Sequence, residues 1–555
     1  MKKKVAIIIA LLAVIAGTYL WFKTMTSSIP GETLLPPETV AYATLPDIVR
    51  TKMRWPATAL GKISASPEVV DFAKKPLAFL LGEGGSEEAA AQLAEVRPVR
   101  MFAAIPAIEK GVPRIVLGFQ YHGDLASCDA AITRLQNQLA GGDTRPTILT
   151  EDYRGIRIKA AVLGEDKYLY SATAGGWAFL SNNRLTLVGV LERLAGHDKS
   201  PALDTDPEFS SALKRMDKAS DFRGFVRMEP VLDMLRKAAE EVEDIAADEE
   251  SFAALKKITS FGYSVKLDGA HITDDLFVTM PSEGTLPSPI AHSPMDFTTN
   301  STLGYLDFYV ASHHLKGFLE TLRRLRLTDR ENRVMPVIVE NAPEAFDGEF
   351  GLIFSWSADD LLPSFVAMAP LKNPEEVAGY INTEIARWTD VVTGEKDGAR
   401  TFSFPQNNTL FSTPCVAITE DMLLGALQPD ILSQALNPPV QSPDLTESEA
   451  FAGARMSYRS ANIAFAFLDA RGIFERSYPM LRQVLVFGSS FLGALDNVVD
   501  SAKVPSTETI SRHLVPFIFS AVQEEEGISI KSSGIVPMNQ IILGGAVWAS
   551  ATKEK

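Results

Sequence analysis

The chain has 555 residues, enough for two or more domains at the usual size of about 100–200 residues each. Its 53 basic and 69 acidic residues give a formal net charge of −16, and no Lys/Arg cluster occurs beyond the extreme N-terminus, which argues against nucleic-acid binding. Only Cys128 and Cys415 are present, so a disulfide-stapled scaffold and a cysteine-rich zinc site are excluded, while pairing of these two cysteines stays open.

The N-terminus carries the strongest signal. The basic stretch MKKK precedes an uncharged, apolar run of 18 residues from Val5 to Phe22, which Lys23 closes. As a helix this run would be roughly 27 Å long, close to the thickness of the hydrocarbon core of a bilayer. The alternative is a cleaved signal peptide with Val14-Ile15-Ala16 as its processing site, but such peptides usually have a shorter apolar core. Residues 1–23 therefore predict an uncleaved signal anchor, a single transmembrane helix.

Flanking residues set the orientation of this helix. The lysines of MKKK hold the N-terminus in the cytoplasm, and Tyr19 and Trp21 suit the opposite membrane interface. The predicted location is the cytoplasmic membrane, crossed once, with the N-terminus inside and the bulk of the chain periplasmic or extracellular.

A proline-rich stretch divides the exported part of the chain. MPSEGTLPSPIAHSPMDF, from Met280 to Phe297, holds four prolines and has no hydrophobic periodicity, which is typical of a connector. The sequence predicts repeat 1 in residues 24–285, a connector in residues 286–297 and repeat 2 in residues 298–549.

Landmarks recur in the same order on both sides of the connector. ETVAYATLPD and STLGYLDFYV each predict an alternating strand with a central tyrosine, Tyr42 or Tyr305. WAFLSNNRLTLVGVLERL and CVAITEDMLLGALQPDILSQAL each predict a strand, a polar turn, a second strand and a helix. SPALDTDPEFSSAL and SPDLTESEAFAGAR share Ser, Pro, Leu and Phe at one offset. This order predicts an ancient duplication and two homologous domains.

Two similar octets close the two series. In GYSVKLDG, from Gly262 to Gly269, apolar residues alternate with polar ones and Asp-Gly then turns the chain, which predicts a β-hairpin. GISIKSSG, from Gly527 to Gly534, predicts the same hairpin in repeat 2, so both octets are interpreted as scaffold. Hairpins interleaved with amphipathic helices predict an α+β fold with mainly antiparallel sheets.

One block of the chain resembles a known family. The stretch LPPETVAYATLPDIVRTKMRWPATALGKISASPEVVDF, from Leu35 to Phe72, is similar to the start of a family of uncharacterised bacterial exported, membrane-anchored proteins of unknown function. The resemblance rests on a Leu-Pro-x-acid opening, an apolar strand, and a helix leading to a Trp and a Leu-Gly pair, here Leu35, Pro36, Glu38, Trp55, Leu60 and Gly61. It implies export and residence in the cell envelope, and it implies no activity.

Motifs that carry chemistry are missing from the sequence. None of the seven histidines occurs in a zincin motif, and no Gly-x-Ser-x-Gly elbow or phosphate-binding loop is present. We therefore expect a non-catalytic protein without a cofactor or a metal ion.

An uncharged stretch in repeat 2 is the one candidate surface. From Val484 to Leu495 no residue is charged, and twelve residues are too few to span a bilayer. A helix that is apolar on all sides is normally buried, here between the repeats or under a sheet. The alternative is an apolar contact surface for a lipid, a membrane face or a partner protein, formed by Phe487, Phe491, Leu492 and Leu495.

These features predict a membrane-anchored extracytoplasmic scaffold or interaction protein of the bacterial envelope. Its partners would be the membrane, through the N-terminal helix, and an envelope protein or a lipid. One alternative is a carrier or sensor of a lipid or another apolar ligand, and the other is a hydrolase whose site carries no recognisable motif. The sequence does not name the partner, the process or the oligomeric state.

Overall fold

The computed structural model describes residues 29–81, 95–139, 146–164, 167–241, 255–281, 286–299, 302–310, 338, 343–346, 348–357, 360, 362–387, 390–404, 413–437, 445–491 and 500–539. The predicted anchor, residues 1–23, lies outside these ranges. Within them, no helix is both long enough and apolar enough to cross a bilayer.

Helices occur along the whole described chain. The α-helices are α1 (Ile48–Arg54), α2 (Ala59–Ser64), α3 (Pro67–Leu81), α4 (Leu125–Leu139), α5 (Arg184–Leu194), α6 (Pro207–Lys214), α7 (Met228–Glu241), α8 (Pro374–Thr383), α9 (Pro429–Leu436), α10 (Arg455–Ser460), α11 (Ala470–Phe491) and α12 (Thr507–Ser511). Short 3-10 helices cover Gly31–Leu34, Trp55–Ala57, Leu203–Thr205, Ser293–Phe297, Pro343–Ala345, Ile385–Arg387, Leu445–Glu447, Ala452–Ala454 and Ser501–Lys503.

Packing divides the chain into two units. The first unit comprises Met1–Ile48, Ala90–Lys214 and Phe222–Lys256, and the second comprises Val49–Ala89, Arg215–Asp221 and Lys257–Lys555. These units are defined by packing, whereas the predicted repeats are defined by sequence, so the predicted boundaries stay predictions.

The first unit contains eight described strands. They are β1 (Ala41–Leu45), β2 (Pro98–Glu109), β3 (Val112–Tyr121), β4 (Ile148–Tyr153), β5 (Ile156–Gly164), β6 (Lys167–Ala174), β7 (Trp177–Ser181) and β8 (Phe222–Arg227). They pair antiparallel in the order β8–β1–β2–β3–β7–β6–β5–β4. Period-2 alternation along β7 sends its side chains to both faces, because Trp177 and Phe179 join one core cluster and Ala178 and Leu180 join another.

Helices cover both faces of this sheet. Leu187 and Leu191 of α5 pack in the cluster that holds Trp177, and Cys128 and Ile132 of α4 pack in the cluster on the opposite face. Polar caps start both helices: the Asn183 side chain accepts the Thr186 N–H, and Asp124 Oδ1 accepts the Ser127 N–H at 2.8 Å.

The second unit contains twelve described strands. They are β9 (Ser260–Asp268), β10 (His271–Thr279), β11 (Thr302–Tyr309), β12 (Glu349–Ser355), β13 (Ser364–Pro370), β14 (Val392–Lys396), β15 (Ala399–Ser403), β16 (Cys415–Ile418), β17 (Met422–Ala426), β18 (Ala464–Leu468), β19 (Phe517–Glu524) and β20 (Gly527–Gly534). They pair antiparallel in the order β9–β10–β20–β19–β18–β11–β12–β13–β17–β16–β15–β14.

Eight strands of the second unit repeat the order of the first. The run β18–β11–β12–β13–β17–β16–β15–β14 matches β8–β1–β2–β3–β7–β6–β5–β4, strand for strand in chain order. The predicted central tyrosines, Tyr42 and Tyr305, are both buried in these sheets. Helices α8 and α9 follow β13 and β17, as α4 and α5 follow β3 and β7. The predicted α+β class with mainly antiparallel strands is confirmed.

The octets are strands, but they are not equivalent members of their hairpins. GYSVKLDG lies in β9, the first strand of the β9–β10 hairpin, whereas GISIKSSG forms β20, the second strand of the β19–β20 hairpin. Both octets pair with β10, one on each side, and Lys266 forms an ion pair with Asp217 at 3.0 Å. The prediction that GISIKSSG opens a hairpin is wrong, because the preceding Glu-Glu-Gly turn already closes one.

The predicted connector packs within the second unit. Pro294 and Met295, in the 3-10 helix Ser293–Phe297, are buried, and Met295 joins a core cluster of this unit. A Cβ on Gly351 of β12 would lie 2.4 Å from the Pro294 ring, so only glycine lets the two segments approach this closely.

Candidate functional site

The first half of α11 is fixed to the body of the second unit. Asp469 Oδ1 accepts the Gly472 N–H at 3.0 Å and caps the helix. The Phe474 and Tyr478 rings stack with their centroids 4.5 Å apart, and the buried Tyr478 hydroxyl donates to the Pro505 carbonyl at 2.9 Å. These contacts hold about two turns of the helix in place.

The next part of α11 is exposed on every side. All six residues from Pro479 to Val484 are exposed, and the apolar ones include Met480, Leu481 and Val484, with 42%, 53% and 66% of their surface accessible. An amphipathic helix of a globular protein would bury one side, but this stretch buries none. The helix therefore leaves the body of the unit near Pro479 and presents apolar side chains to its surroundings.

Charge is concentrated in the fixed half of the helix. Arg471 and Glu475 form an i,i+4 ion pair at 2.9 Å, and the hydrogen bond from Arg471 lowers the pKa of Glu475. Arg476 donates to the Gly472 carbonyl at 2.9 Å. Beyond Arg482, the sequence carries no charge until Asp496. The exposed stretch Pro479–Val484 thus carries a single charge, at Arg482, and the sequence that follows it to Leu495 carries none.

Helix α3 rests on the same segment as α11. Glu68 accepts the Ser506 N–H at 2.8 Å, which lowers the pKa of Glu68, and Asp71 pairs with Lys503 at 3.4 Å. Since Tyr478 bonds to Pro505, residues 500–511 support the first turns of α3 and the middle of α11 together.

The predicted contact residues follow this exposed stretch in the sequence. Phe487 and Phe491 belong to the last turns of α11, although their side chains lie outside what the structure describes, and Leu492 and Leu495 lie outside the described residues altogether. Sequence reasoning missed Met480 and Leu481. Their signal was Pro479, which cannot donate a helical hydrogen bond and marks where the exposed half begins.

A buried polar cluster in the second unit bears on the hydrolase alternative. His292 Nδ1 bonds Asp307, its Nε2 donates to the Tyr458 carbonyl at 2.7 Å, and the Tyr305 hydroxyl donates to Asp307 at 2.7 Å. Burial, followed by the charge of Asp307, raises the pKa of Glu349. His292, Tyr305, Asp307 and Glu349 are all buried, so the cluster offers a substrate no access and acts as a lock on the connector.

A Ser–His pair also occurs, on strands β20 and β10. Ser533 Oγ lies 3.2 Å from His271 Nδ1, and burial lowers the pKa of His271. No carboxylate bonds the other ring nitrogen of His271 within the described residues, so the pair lacks the third member that orients a catalytic histidine.

Metal and thiol chemistry find little support in the described ranges. There, no three His, Cys, Asp or Glu side chains gather as a metal site would require. Cys128 and Cys415 are both free and buried, and burial raises the pKa of each thiol to about 11, which keeps both protonated and unreactive.

Comparisons with known proteins give no family. No family model and no curated protein matches this chain, so the resemblance carried by Leu35–Phe72 stays a prediction. Three crystal structures of TP0453, forms III, I and IV, match 47%, 47% and 46% of this chain and 83%, 82% and 81% of theirs. Their identities are 8%, 8% and 9%, with TM-scores of 0.26, 0.25 and 0.26, and a likeness at this level carries no argument.

Proposed function

We propose that this chain is a membrane-anchored, non-catalytic scaffold or interaction protein of the bacterial envelope. Residues 1–23 form its anchor, and two duplicated α+β repeats form its extracytoplasmic part. The observation that carries the proposal is the exposed stretch Pro479–Val484 of α11, which presents Met480, Leu481 and Val484 with one charge at Arg482, because soluble surfaces rarely present such a helix without something to cover it.

The duplication is supported by strand order and by buried landmarks. Eight strands follow one order in both units, and the tyrosines of β1 and β11 occupy equivalent central positions. Leu203 and Leu445 start equivalent 3-10 helices, and Phe209 and Phe451 are both buried shortly after them. Chance would have to reproduce both the order and these positions.

The occupant of the exposed α11 end is the surface of a lipid bilayer. From Pro479 to Phe491 the helix extends for about 20 Å, too short to span but long enough to enter the interface, and Arg482 would lie at the level of the headgroups. Only five residues lie between Lys23, at the end of the predicted span, and Ile29, so the tether reaches at most about 20 Å. The described part of the chain would therefore work within reach of the membrane.

The other predicted functions stay predictions. A carrier of an apolar ligand held by residues 484–495 would need a cavity around that stretch, whose side chains beyond Leu485 lie outside what the structure describes. The hydrolase alternative gains nothing from the closed cluster around Asp307 or from the Ser533–His271 pair.

The test is sedimentation of residues 24–555 with vesicles that contain anionic and zwitterionic lipids. We expect binding without the anchor, and we expect Leu481→Asp and Val484→Asp to weaken it by about tenfold each, since a charge in the apolar interface opposes insertion. Met456→Asp is the matched control, because Met456 is 79% exposed on α10 of the same unit.

The control should bind vesicles as the unchanged protein does. Equal binding of the α11 variants and the unchanged protein, or no binding at all, would contradict the proposal. Circular dichroism on each variant checks that the fold is retained.

A further inference from the structure

A cavity of about 670 Å³ lies within the first unit. Helices α4 and α5 and strands β4, β5 and β6 line it, and it is partly open to solvent. Its volume falls in the range of small-molecule sites, about 300–1,000 Å³. Leu125 of α4, with 55% of its surface exposed, and the half-buried Leu194 of α5 contribute apolar surface, and Arg157, Lys159 and Asp129 contribute charge.

The cavity opens where two strands stop pairing. The β5–β6 ladder ends at the pair Ile158–Ala172, and both residues just beyond it, Arg157 and Thr173, line the cavity. In the second unit the equivalent β15–β16 ladder includes the pair Arg400–Ile418. The strands of the second unit thus remain paired at the level where those of the first unit separate.

The hairpin turns and helix caps fix the equivalent positions in the two units. The turns Arg154-Gly155 and Asp397-Gly398 end β4 and β14, which makes Arg157 equivalent to Arg400 and Lys159 equivalent to Phe402. The caps Asp124 and Asn373 begin α4 and α8, which makes Ala126 equivalent to Glu375.

In the second unit the arginine at the first of these positions has a carboxylate partner, and the residue at the other packs in the core. Arg400 donates two hydrogen bonds to Glu375, at 2.9 and 2.7 Å, which ties β15 to α8. Phe402 is buried, with 2% of its surface exposed, and packs in the core cluster that includes residues of α8.

In the first unit both arrangements are lost. Ala126 offers no carboxylate, and Arg157 makes no hydrogen bond or ion pair within the part of the chain that the structure describes. Lys159 turns instead to Asp129 of α4, at 2.9 Å. One cavity-lining arginine is therefore left without a partner.

The acidic groups of the cavity are already engaged. Lys159 neutralises Asp129, and Asp152 Oδ1 accepts the Gly155 N–H at 2.9 Å within its own turn. Asp152 keeps its negative charge, because a backbone N–H does not neutralise a carboxylate. Arg157 is the lining cation that makes no ion pair among the described residues, and its planar fork suits a carboxylate or a phosphate.

We propose that this cavity binds a single-chain anionic amphiphile, an alkyl carboxylate or alkyl phosphate. Arg157 binds the anionic head, and the apolar side chains of α4 and α5 bind the chain. The site lies in the first unit, whereas the exposed part of α11 proposed to contact the membrane belongs to the second unit. No motif recognised in the sequence marks this cavity.

The test is photo-crosslinking on the full-length chain in nanodiscs of zwitterionic lipid. The probe is an alkyl phosphate with a diazirine on its chain, and the labelled peptides are identified by mass spectrometry. We expect labelling in α4, β5 or α5, and competition by dodecyl phosphate. Neither inorganic phosphate nor dodecanol should compete, because each supplies only half of the ligand.

Matched variants locate the head group. Arg157→Ala should lower the labelling about tenfold, whereas Arg400→Ala, at the equivalent position of the second unit, should leave it unchanged. Ala126→Glu changes an exposed residue and restores the partner that Arg400 has, so it should also lower the labelling without threatening the fold.

Three results would overturn the proposal. They are equal labelling of the second unit, labelling that survives both Arg157→Ala and Ala126→Glu, and competition by inorganic phosphate alone, which would make the site a simple anion site.

Discussion

Within each unit a helix packs on equivalent strands of the sheet, but the side chains between helix and strand differ. Where β15 meets α8 in the second unit, Phe402 and the Arg400–Glu375 pair close the packing. Where β5 meets α4 in the first unit, Lys159 and Arg157, which makes no hydrogen bond or ion pair with the residues that the structure describes, line a cavity. Two of the compared positions differ, with Lys159 in place of Phe402 and Ala126 in place of Glu375, whereas the strand order and the positions of the helix caps are shared. The same arrangement of strands and helices is thus filled in one unit and open in the other.

The two units also differ in the groups that bond their buried central tyrosines and the neighbouring strand. The Tyr42 hydroxyl donates to Glu32 at 2.7 Å in the first unit, and the Tyr305 hydroxyl donates to Asp307 at 2.7 Å in the second. Arg100 reaches the Ile29 carbonyl, whereas Glu349, at the equivalent place on β12, accepts the Ser293 N–H. The segments before β1 and β11 are thus each tied to the next strand, by the cation Arg100 before β1 and by the carboxylate Glu349 before β11.

The largest loss of stability is expected when the packed side chain of Phe402 in the second unit is removed. Phe402→Ala should lower the free energy of unfolding by about 3–5 kcal/mol, because it removes a buried ring and leaves a cavity. Lys159→Ala, its counterpart in the first unit, should cost less than about 1 kcal/mol, since its ion pair is partly exposed. Urea denaturation of both variants measures the contrast. Equal losses would mean that the two faces are packed alike and that the comparison fails.

A smaller, pH-dependent effect is expected at Glu349. Burial and the nearby Asp307 raise the pKa of this carboxyl in the folded state, so folding favours its protonated form. The stability that this provides is present below the ordinary pKa of glutamate, about 4.3, and is lost as the pH rises through the raised value. Glu349→Gln should therefore be the more stable protein at neutral pH, because its amide oxygen still accepts the Ser293 N–H.

Thermal unfolding between pH 4 and pH 8 checks this sign. The advantage of Glu349→Gln should shrink as the pH falls, and Glu395→Gln, at an exposed position of β14, should show none. An advantage that is constant or that grows in acid would show that folding does not raise the pKa of Glu349.

Local patterns were enough to predict much of the fold. The strands around Tyr42 and Tyr305 alternate cleanly, and Phe209 and Phe451 follow paired Ser-Pro-x-Leu signals, so their burial could be expected. The stretch RLTLVGVLERL was harder, because its apolar residues suit either a strand or a helix. The predicted second strand there is wrong, since Asn183 caps α5 directly after β7.

The candidate sites depend on contacts that sequence patterns do not record. The uncharged stretch from Val484 could be singled out, but whether α11 is buried depends on what residues 500–511 cover. The cavity could not be predicted from the sequence, because it depends on which side chains of α4 and β5 face each other. Arg157 has the same residue type as Arg400, and the two environments differ by Ala126 in place of Glu375, by Lys159 in place of Phe402 and by the strand pairing.

Hydrogen–deuterium exchange of the full-length chain, with and without dodecyl phosphate, tests most directly whether the first unit has an open cavity where the second unit is filled. The account predicts slower exchange in β5 and β6 when the amphiphile is present, and unchanged exchange in β15 and β16 of the same sample. Equal slowing in both units, or no change in either, would contradict it.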